Sequence, residues 1–116
     1  MNNIEITTRH EKTDFGDVWY YNENSGIFRF AIYRYDDDID TIYLSNVFVN
    51  KEYRKNGYGN AILNAVDNIA KEMRANAICL KVLKNSFPYE WYRKHGYSDL
   101  TVDKTEPKFI WMIKYD

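Results

Sequence analysis

The chain carries one cysteine, no apolar run of membrane-spanning length and almost no net charge. Cys79 has no partner for an internal disulfide; in an extended apolar run it reads as a small buried hydrophobe, and the cytoplasm is the expected compartment. No stretch reaches the roughly 18 apolar residues of a membrane span, and no charged-then-apolar leader opens the chain, so neither a transmembrane helix nor a signal peptide is expected. Sixteen Lys and Arg against 17 Asp and Glu, scattered along the sequence, leave a net charge of −1. That balance provides no basic footprint for nucleic acid. The acidic stretch Asp36 to Asp38 lacks the spaced ligands of a calcium loop, so no metal is expected. There is no internal repeat, low-complexity segment or shift of composition, and 45% of the residues are hydrophobic. One domain over residues 1–116, with a core of its own, is the expectation.

What the chain does contain is Arg54-Lys55-Asn56-Gly57-Tyr58-Gly59, set between an apolar extended run and an amphipathic segment. The run, Thr41 to Val49, is rich in β-branched and aromatic residues and reads as a buried strand. The segment, Ala61 to Met73, places Ile62, Val66, Ile69 and Met73 on one helical stripe. A glycine-bearing turn between a strand's end and a helix's start aims orphan backbone N–H groups, reinforced by the helix dipole, at one place. Such a place suits phosphate. The spacing Arg-x-x-Gly-x-Gly is neither a Walker loop nor a dinucleotide fingerprint, and a plain glycine turn that caps a helix is the competing reading.

A second segment decides between them. After the apolar strand candidate Ala77 to Leu83 comes Asn85-Ser86-Phe87-Pro88-Tyr89-Glu90-Trp91-Tyr92-Arg93-Lys94-His95-Gly96-Tyr97. Together the two motifs resemble those of the GCN5-related N-acetyltransferases (GNAT), in which a strand and an Asn precede a short helix that carries a Tyr, followed by Gly and an aromatic. Asn85, Tyr92, Gly96 and Tyr97 fall on those positions. Pro88 stands where that family usually has a small residue; proline is tolerated in a first helical turn, with Ser86 as cap. The resemblance covers about residues 41 to 97. It implies an α/β (α+β) fold with a mixed, mostly antiparallel central sheet of about six or seven strands and two helices. The remaining strands are read at Ile4 to Thr8, Asp17 to Tyr21, Ile27 to Tyr35 with Phe28, Phe30 and Ile32 on one face, Ser98 to Val102, and Phe109 to Tyr115, with a turn at Asn22 to Gly26.

The resemblance also implies an activity: transfer of an acetyl group from acetyl-CoA, as co-substrate, to a primary amine. Backbone N–H groups at Phe48 and Val49 would meet the thioester carbonyl on a strand that splays from its neighbour. Those of Arg54, Lys55, Asn56, Gly57, Tyr58, Gly59 and Asn60 would hold the pyrophosphate, Asn85 would bond the pantetheine arm, and Tyr92 would stand by the sulfur as general acid. No general base is assigned: the position where some members carry Glu is Tyr43 here, and Ser45 could orient a water but is no base. Beside each role stands a plainer one. Tyr92 could pack between helix and sheet, His95 could serve the last turn of its helix, Arg93 and Lys94 could be solvated rather than reach the cofactor's 3′-phosphate, and Trp19, Tyr20 and Tyr21 are ordinary strand residues rather than a stacking platform. A non-catalytic CoA-binding domain is the rival function.

One departure has a consequence for the acceptor. Members usually carry two helices between the first two strands; Arg9 to Gly16 is too short for them. The acceptor side is expected to be an open shelf, edged by Tyr33, Tyr35 and Tyr43. Such a shelf suits a protein or peptide amine better than a small molecule, unless a homodimer partner supplies the missing wall.

Overall fold

Alternation along four consecutive segments builds an antiparallel meander: β1 (Ile6–Lys12), β2 (Gly16–Glu23), β3 (Phe28–Tyr35) and β4 (Thr41–Val49) pair in sequence order. These strands belong to a computed structural model that describes residues 4–115; residues 1–3 and 116 of the expected 1–116 domain lie outside the described residues. A 3-10 turn at Lys51–Tyr53 leads into helix α1 (Tyr58–Glu72), which returns the chain to β5 (Ala77–Leu83), parallel to β4. Helix α2 (Phe87–Lys94) then carries it to β6 (Ser98–Val102), and β7 (Phe109–Tyr115) inserts between β5 and β6. The result is a mixed seven-stranded sheet, ordered β1-β2-β3-β4-β5-β7-β6.

Both helices cover one sheet face. Phe28, Phe30 and Ile32 of β3, Ile42 and Leu44 of β4, Ile78 and Leu80 of β5 and Met112 of β7 point to it and pack with Ile62, Leu63 and Val66 of α1 and Tyr89 and Tyr92 of α2. Lys114 of β7 reaches Asp67 of α1 at 3.0 Å on the same face. The register places Tyr33, Tyr35, Tyr43 and Trp111 on the opposite face, which carries no helix among the described residues. There they form a ladder of rings with centroid separations of 4.6, 5.1 and 6.0 Å.

Several boundaries differ from the sequence reading. The first strand begins at Ile6, not Ile4, and runs on to Lys12, through residues whose polarity suggests a loop. Polarity is tolerated there because β1 is an edge strand and its long side chains find cross-strand partners: Arg9 lies over the Tyr20 ring at 4.3 Å, and the His10 ring stacks on Trp19. β2 likewise extends to Glu23, whose buried carboxylate accepts from the N–H groups of Ser25 and Ile27 and so organises the turn from inside. The stripe of α1 is completed by Leu63 and Ala70, while Ile69 and Met73 are only half-buried. Only Asp14 and its two neighbours Thr13 and Phe15 separate β1 from β2, so the helical pair is absent as expected.

Candidate active site

The site begins with a break in the ladder. β4 pairs with β3 at Tyr33↔Tyr43, Ile32↔Leu44 and Ala31↔Ser45, and again at Arg29↔Phe48, so β4 carries one extra residue between these pairs. Asn46 absorbs it in a left-handed conformation at φ 54, as a β-bulge does. Side-chain parity therefore switches: Ile42 and Leu44 face the helices before the bulge, Val47 and Val49 after it, and Phe48 turns to the other side. On its other edge β4 pairs with β5 only at Thr41↔Ala77, Ile42↔Ile78 and Tyr43↔Cys79. Beyond Tyr43 the strands part, and the edges of Leu44–Val49 and Leu80–Leu83 that face each other are left without ladder partners, open to an extended ligand.

At the mouth of this split lies the glycine turn. Lys55 and Gly57 both have positive φ, 66° and 83°. Gly57 is the N-cap of α1 and, lacking a side chain, gives its first turn no cap, nor is any residue of that turn acidic. The N–H groups of Lys55 through Asn60 consequently meet no protein acceptor among the described residues. Six consecutive free donors at a helix N-terminus are the kind of cradle that can receive an anion. The two glycines act differently from one another. A Cβ at Gly57 would meet nothing within 4 Å, so its left-handed backbone is what calls for glycine. At Gly59 a Cβ would sit 2.9 Å from Cζ2 of Trp91, so this glycine makes room for an indole from α2 rather than for a ligand.

The cradle opens into a cavity of about 640 Å³. β4 contributes Val47, Phe48 and Val49, the turn and first helical residues contribute Tyr53, Arg54, Lys55, Gly57, Tyr58, Gly59 and Asn60, and α2 closes it with Phe87, Pro88 and Trp91. Of the residues picked out from sequence, Phe48, Val49, Arg54, Lys55, Gly57, Tyr58, Gly59 and Asn60 thus line one cavity. Asn56 does not; its amide donates to the Arg54 carbonyl at 3.3 Å. Arg54 itself is anchored by Nε to the Val49 carbonyl at 3.1 Å, and its backbone N–H, expected to face the pyrophosphate, instead closes the 3-10 turn on the Lys51 carbonyl at 3.5 Å. Asn85 is exposed, with φ 56, just past the end of β5, and lies off the lining. Val47, Tyr53, Phe87, Pro88 and Trp91 also line the cavity and were missed because nothing local distinguishes a lining residue from a core one.

α2 starts as its sequence implies, with Ser86 Oγ accepting from Tyr89 N at 3.2 Å and Pro88 in the first turn. It places Tyr92 8% exposed, inside the core cluster, against Trp91 and Tyr97. Burial pushes its phenol up to about 12. Tyr92 is not among the residues lining the cavity; its neighbour Trp91 is. Tyr43 is pushed up to about 12 as well, by burial first and then by the nearby Cys79 and Asp38, so it cannot serve as a base near neutrality. His95 bonds the Trp91 carbonyl through Nδ1 and Asn60 Oδ1 through Nε2, each at 2.8 Å. It ties the helices together as well as serving the end of its own.

A second cavity, of about 440 Å³, lies across the bulge from the first and shares Val47 and Phe48 with it. Tyr20, Asn22 and Arg29 line its far side. The bulge thus stands between two hollows, with Phe48 at their junction. One is walled by free N–H groups; the other opens on the sheet face that carries no helix among the described residues.

Comparison with known proteins identifies the family and the fold. The family model described as an acetyltransferase (GNAT) domain matches residues 14–99. No curated protein matches the chain. Among solved structures, a GNAT family acetyltransferase from Elizabethkingia anophelis with acetyl-CoA bound is similar at 15% identity and a TM-score of 0.74, over 100% of both chains. A putative acyl-CoA N-acyltransferase from Klebsiella pneumoniae is similar at 14% identity and a TM-score of 0.71, over 97% of this chain and 99% of that one. The PaiA N-acetyltransferase from Thermoplasma acidophilum in complex with coenzyme A is similar at 19% identity and a TM-score of 0.69, over 85% of this chain and 60% of that one. At these identities the likeness is one of fold.

Proposed function

We propose, from the premise that the chain belongs to the GNAT acetyltransferase family, that residues 1–116 act as one domain that transfers an acetyl group from acetyl-CoA to a primary amine. The observation that carries this reading is the row of free N–H groups from Lys55 to Asn60, opening on a cavity of about 640 Å³ beside the split between β4 and β5. A pyrophosphate needs several donors converging without a competing carboxylate, and the first turn of α1 supplies them. A pantetheine chain needs unpaired strand edges, which the split supplies. Acetyl-CoA bound to a protein of the same fold, the one from Elizabethkingia anophelis, is consistent with that assignment. Because Cys79 is a lone buried thiol, we place the protein in the cytoplasm.

In the proposed step the neutral amine adds to the thioester carbonyl carbon. The C–N bond forms, the C–S bond breaks, and the thiolate takes a proton from Tyr92 Oη, which is restored through water from the amine nitrogen. A phenol held near 12 is fully protonated at neutral pH, so it is always ready to donate. Its proton moves readily only if the thiolate, ordinarily near ~8.5, is desolvated as well, which the closed end of the split favours. The backbone N–H of Val49 is the donor we assign to the developing oxyanion; Phe48 N–H lies on the β3 edge, as does that of Asn50, which donates to the Ile27 carbonyl at 2.8 Å. With the sheet face beyond the bulge uncovered, we favour a protein or peptide amine as acceptor, with closure by a second copy of the chain as the alternative.

A second reading is a domain that binds acetyl-CoA without turning it over. The position of Tyr92 and Asn85 off the cavity lining favours it. The two part in one experiment. Purified protein is incubated with acetyl-labelled acetyl-CoA and a cell lysate, then with buffer alone. Label appearing on polypeptide, and lost in Tyr92→Phe, supports transfer. Binding of acetyl-CoA with no label transferred would support the second reading.

A further inference from the structure

We propose that Arg29 recognises a carboxylate on the acceptor, so that the amine acetylated is one that bears an acidic group close to its nitrogen. The inference rests on the acetyltransferase reading above, and takes the second cavity, on the same uncovered face as Tyr33, Tyr35 and Tyr43 but not lined by them, as the place that receives the acceptor. That cavity of about 440 Å³ meets the first at Val47 and Phe48 and so offers an amine a way to the split from the uncovered face.

Its walls hold one formal charge. Arg29 is exposed, its guanidinium carbon 4.5 Å from the centre of the Phe48 ring, and no carboxylate lines the cavity with it. Among the described residues the Arg29 guanidinium has no ion pair and no hydrogen bond, whereas Arg9 on the same sheet face is paired with Glu11. The aromatic face takes one side of the guanidinium plane and fixes it; the N–H groups along its edge remain free. This arrangement matches a carboxylate, which the planar fork can bind through two parallel bonds.

The charge of the acceptor points the same way. An amine arrives in water as an ammonium ion, and a lone guanidinium at the entrance repels it. A carboxylate on the same molecule offsets that repulsion and orients the nitrogen toward the bulge. Arg29 and Phe48 face each other in register, so the carboxylate site lies within about one residue of the strand that borders the split. Such a short separation fits two sources that share this chemistry: a free α-amino acid, and a polypeptide whose first residue is Asp or Glu.

The test measures release of the CoA thiol by the full chain with saturating acetyl-CoA. Each acceptor is paired with an uncharged twin: free amino acids with their carboxamides, and the amidated tripeptides Asp-Ala-Ala and Glu-Ala-Ala with Asn-Ala-Ala and Gln-Ala-Ala. We expect kcat/KM to favour the carboxylate member of one set by about 10- to 100-fold, as a charge-assisted bond would give. The preference should vanish in Arg29→Gln and turn toward a cationic acceptor, Lys-Ala-Ala amide, in Arg29→Glu. Which set responds separates the free amino acid from the acidic N-terminus. An unshifted melting response to acetyl-CoA in both variants would show that they fold. Equal turnover of both twins, or a preference that survives Arg29→Gln, overturns the proposal and leaves the acetyltransferase reading intact. Binding of acetyl-CoA with no acceptor acetylated in any arm overturns both.

Discussion

His95 and Asn60, 35 residues apart, meet at 2.8 Å through Nε2 and Oδ1, and the contact joins the last turn of α2 to the first turn of α1. The same imidazole holds the Trp91 carbonyl through Nδ1, and its ring lies 4.7 Å from the Trp91 indole. The indole in turn rests where Gly59 has no side chain. Asn60, Gly59 and Trp91 all line the cavity assigned to the cofactor. His95 therefore acts on that cavity without touching it, by positioning both of its helical walls.

Replacing His95 by Ala removes its contacts to the Trp91 carbonyl and to Asn60, together worth about 1–2 kcal/mol, so a fall of roughly 4–8 °C in melting temperature is expected. Acetyl-CoA affinity should weaken by about three- to tenfold as the α2 wall loosens. Calorimetric titration of folded His95→Ala checks this; an unchanged Kd would confine His95 to the end of its own helix.

Gly57→Val places a β-branched residue at φ 83, a conformation that costs an L-residue about 1–2 kcal/mol or more. The turn should reshape and the cradle be lost. Wild-type protein at a hundredfold excess of acetyl-CoA over Kd should gain about 2.7 kcal/mol of stability, and the variant none. Thermal melts with and without acetyl-CoA give the comparison, and equal shifts would remove the cradle from the binding site.

At Gly59 a methyl group would press on Trp91 at 2.9 Å. Gly59→Ala should displace the indole and weaken acetyl-CoA, and the double variant Gly59→Ala, Trp91→Leu should recover part of that loss. Absence of recovery would mean that the glycine serves the ligand directly.

Tyr92→Phe keeps the ring in the core and deletes the proton. Acetyl-CoA affinity should hold while kcat falls by about 10²–10⁴. Because burial pushes the phenol up to about 12, its ionisation should not limit wild-type activity between pH 7 and 10. A pH profile falling within that range in wild type, and flat in Tyr92→Phe, would contradict the assigned environment.

Asp103 ties the β6–β7 turn, accepting from the Thr105 and Glu106 N–H groups and from Trp111 Nε1. These bonds, the Glu106 N–H foremost, hold its carboxylate at about 2, below the ordinary 3.8. A depressed folded-state value stabilises the protein above pH 3.8, and that contribution is lost as pH falls toward 2. Asp103→Asn should melt lower than wild type at pH 6 and lose less on acidification to pH 2. Parallel acid melting curves would assign the acid sensitivity elsewhere.

How far the sequence alone reached follows from the range of each interaction. The cap of Ser86 on Tyr89, the left-handed turn at Gly57 and the buried face of Ile62 and Val66 depend on neighbours within a turn or two, so composition and spacing determined them. The strands at Thr41–Val49 and Ala77–Leu83 were legible because their apolar runs need burial whatever covers them. The sequence pattern did not show that β4 and β5 separate after Tyr43 and Cys79, that Asn46 bulges and turns Phe48 onto Arg29, or that Trp91 comes to rest on Gly59. Each of these is settled by two segments competing for the same space or the same ladder partners. Their geometry depends on the register and packing of residues far apart in the chain, and tertiary structure alone brings those residues together.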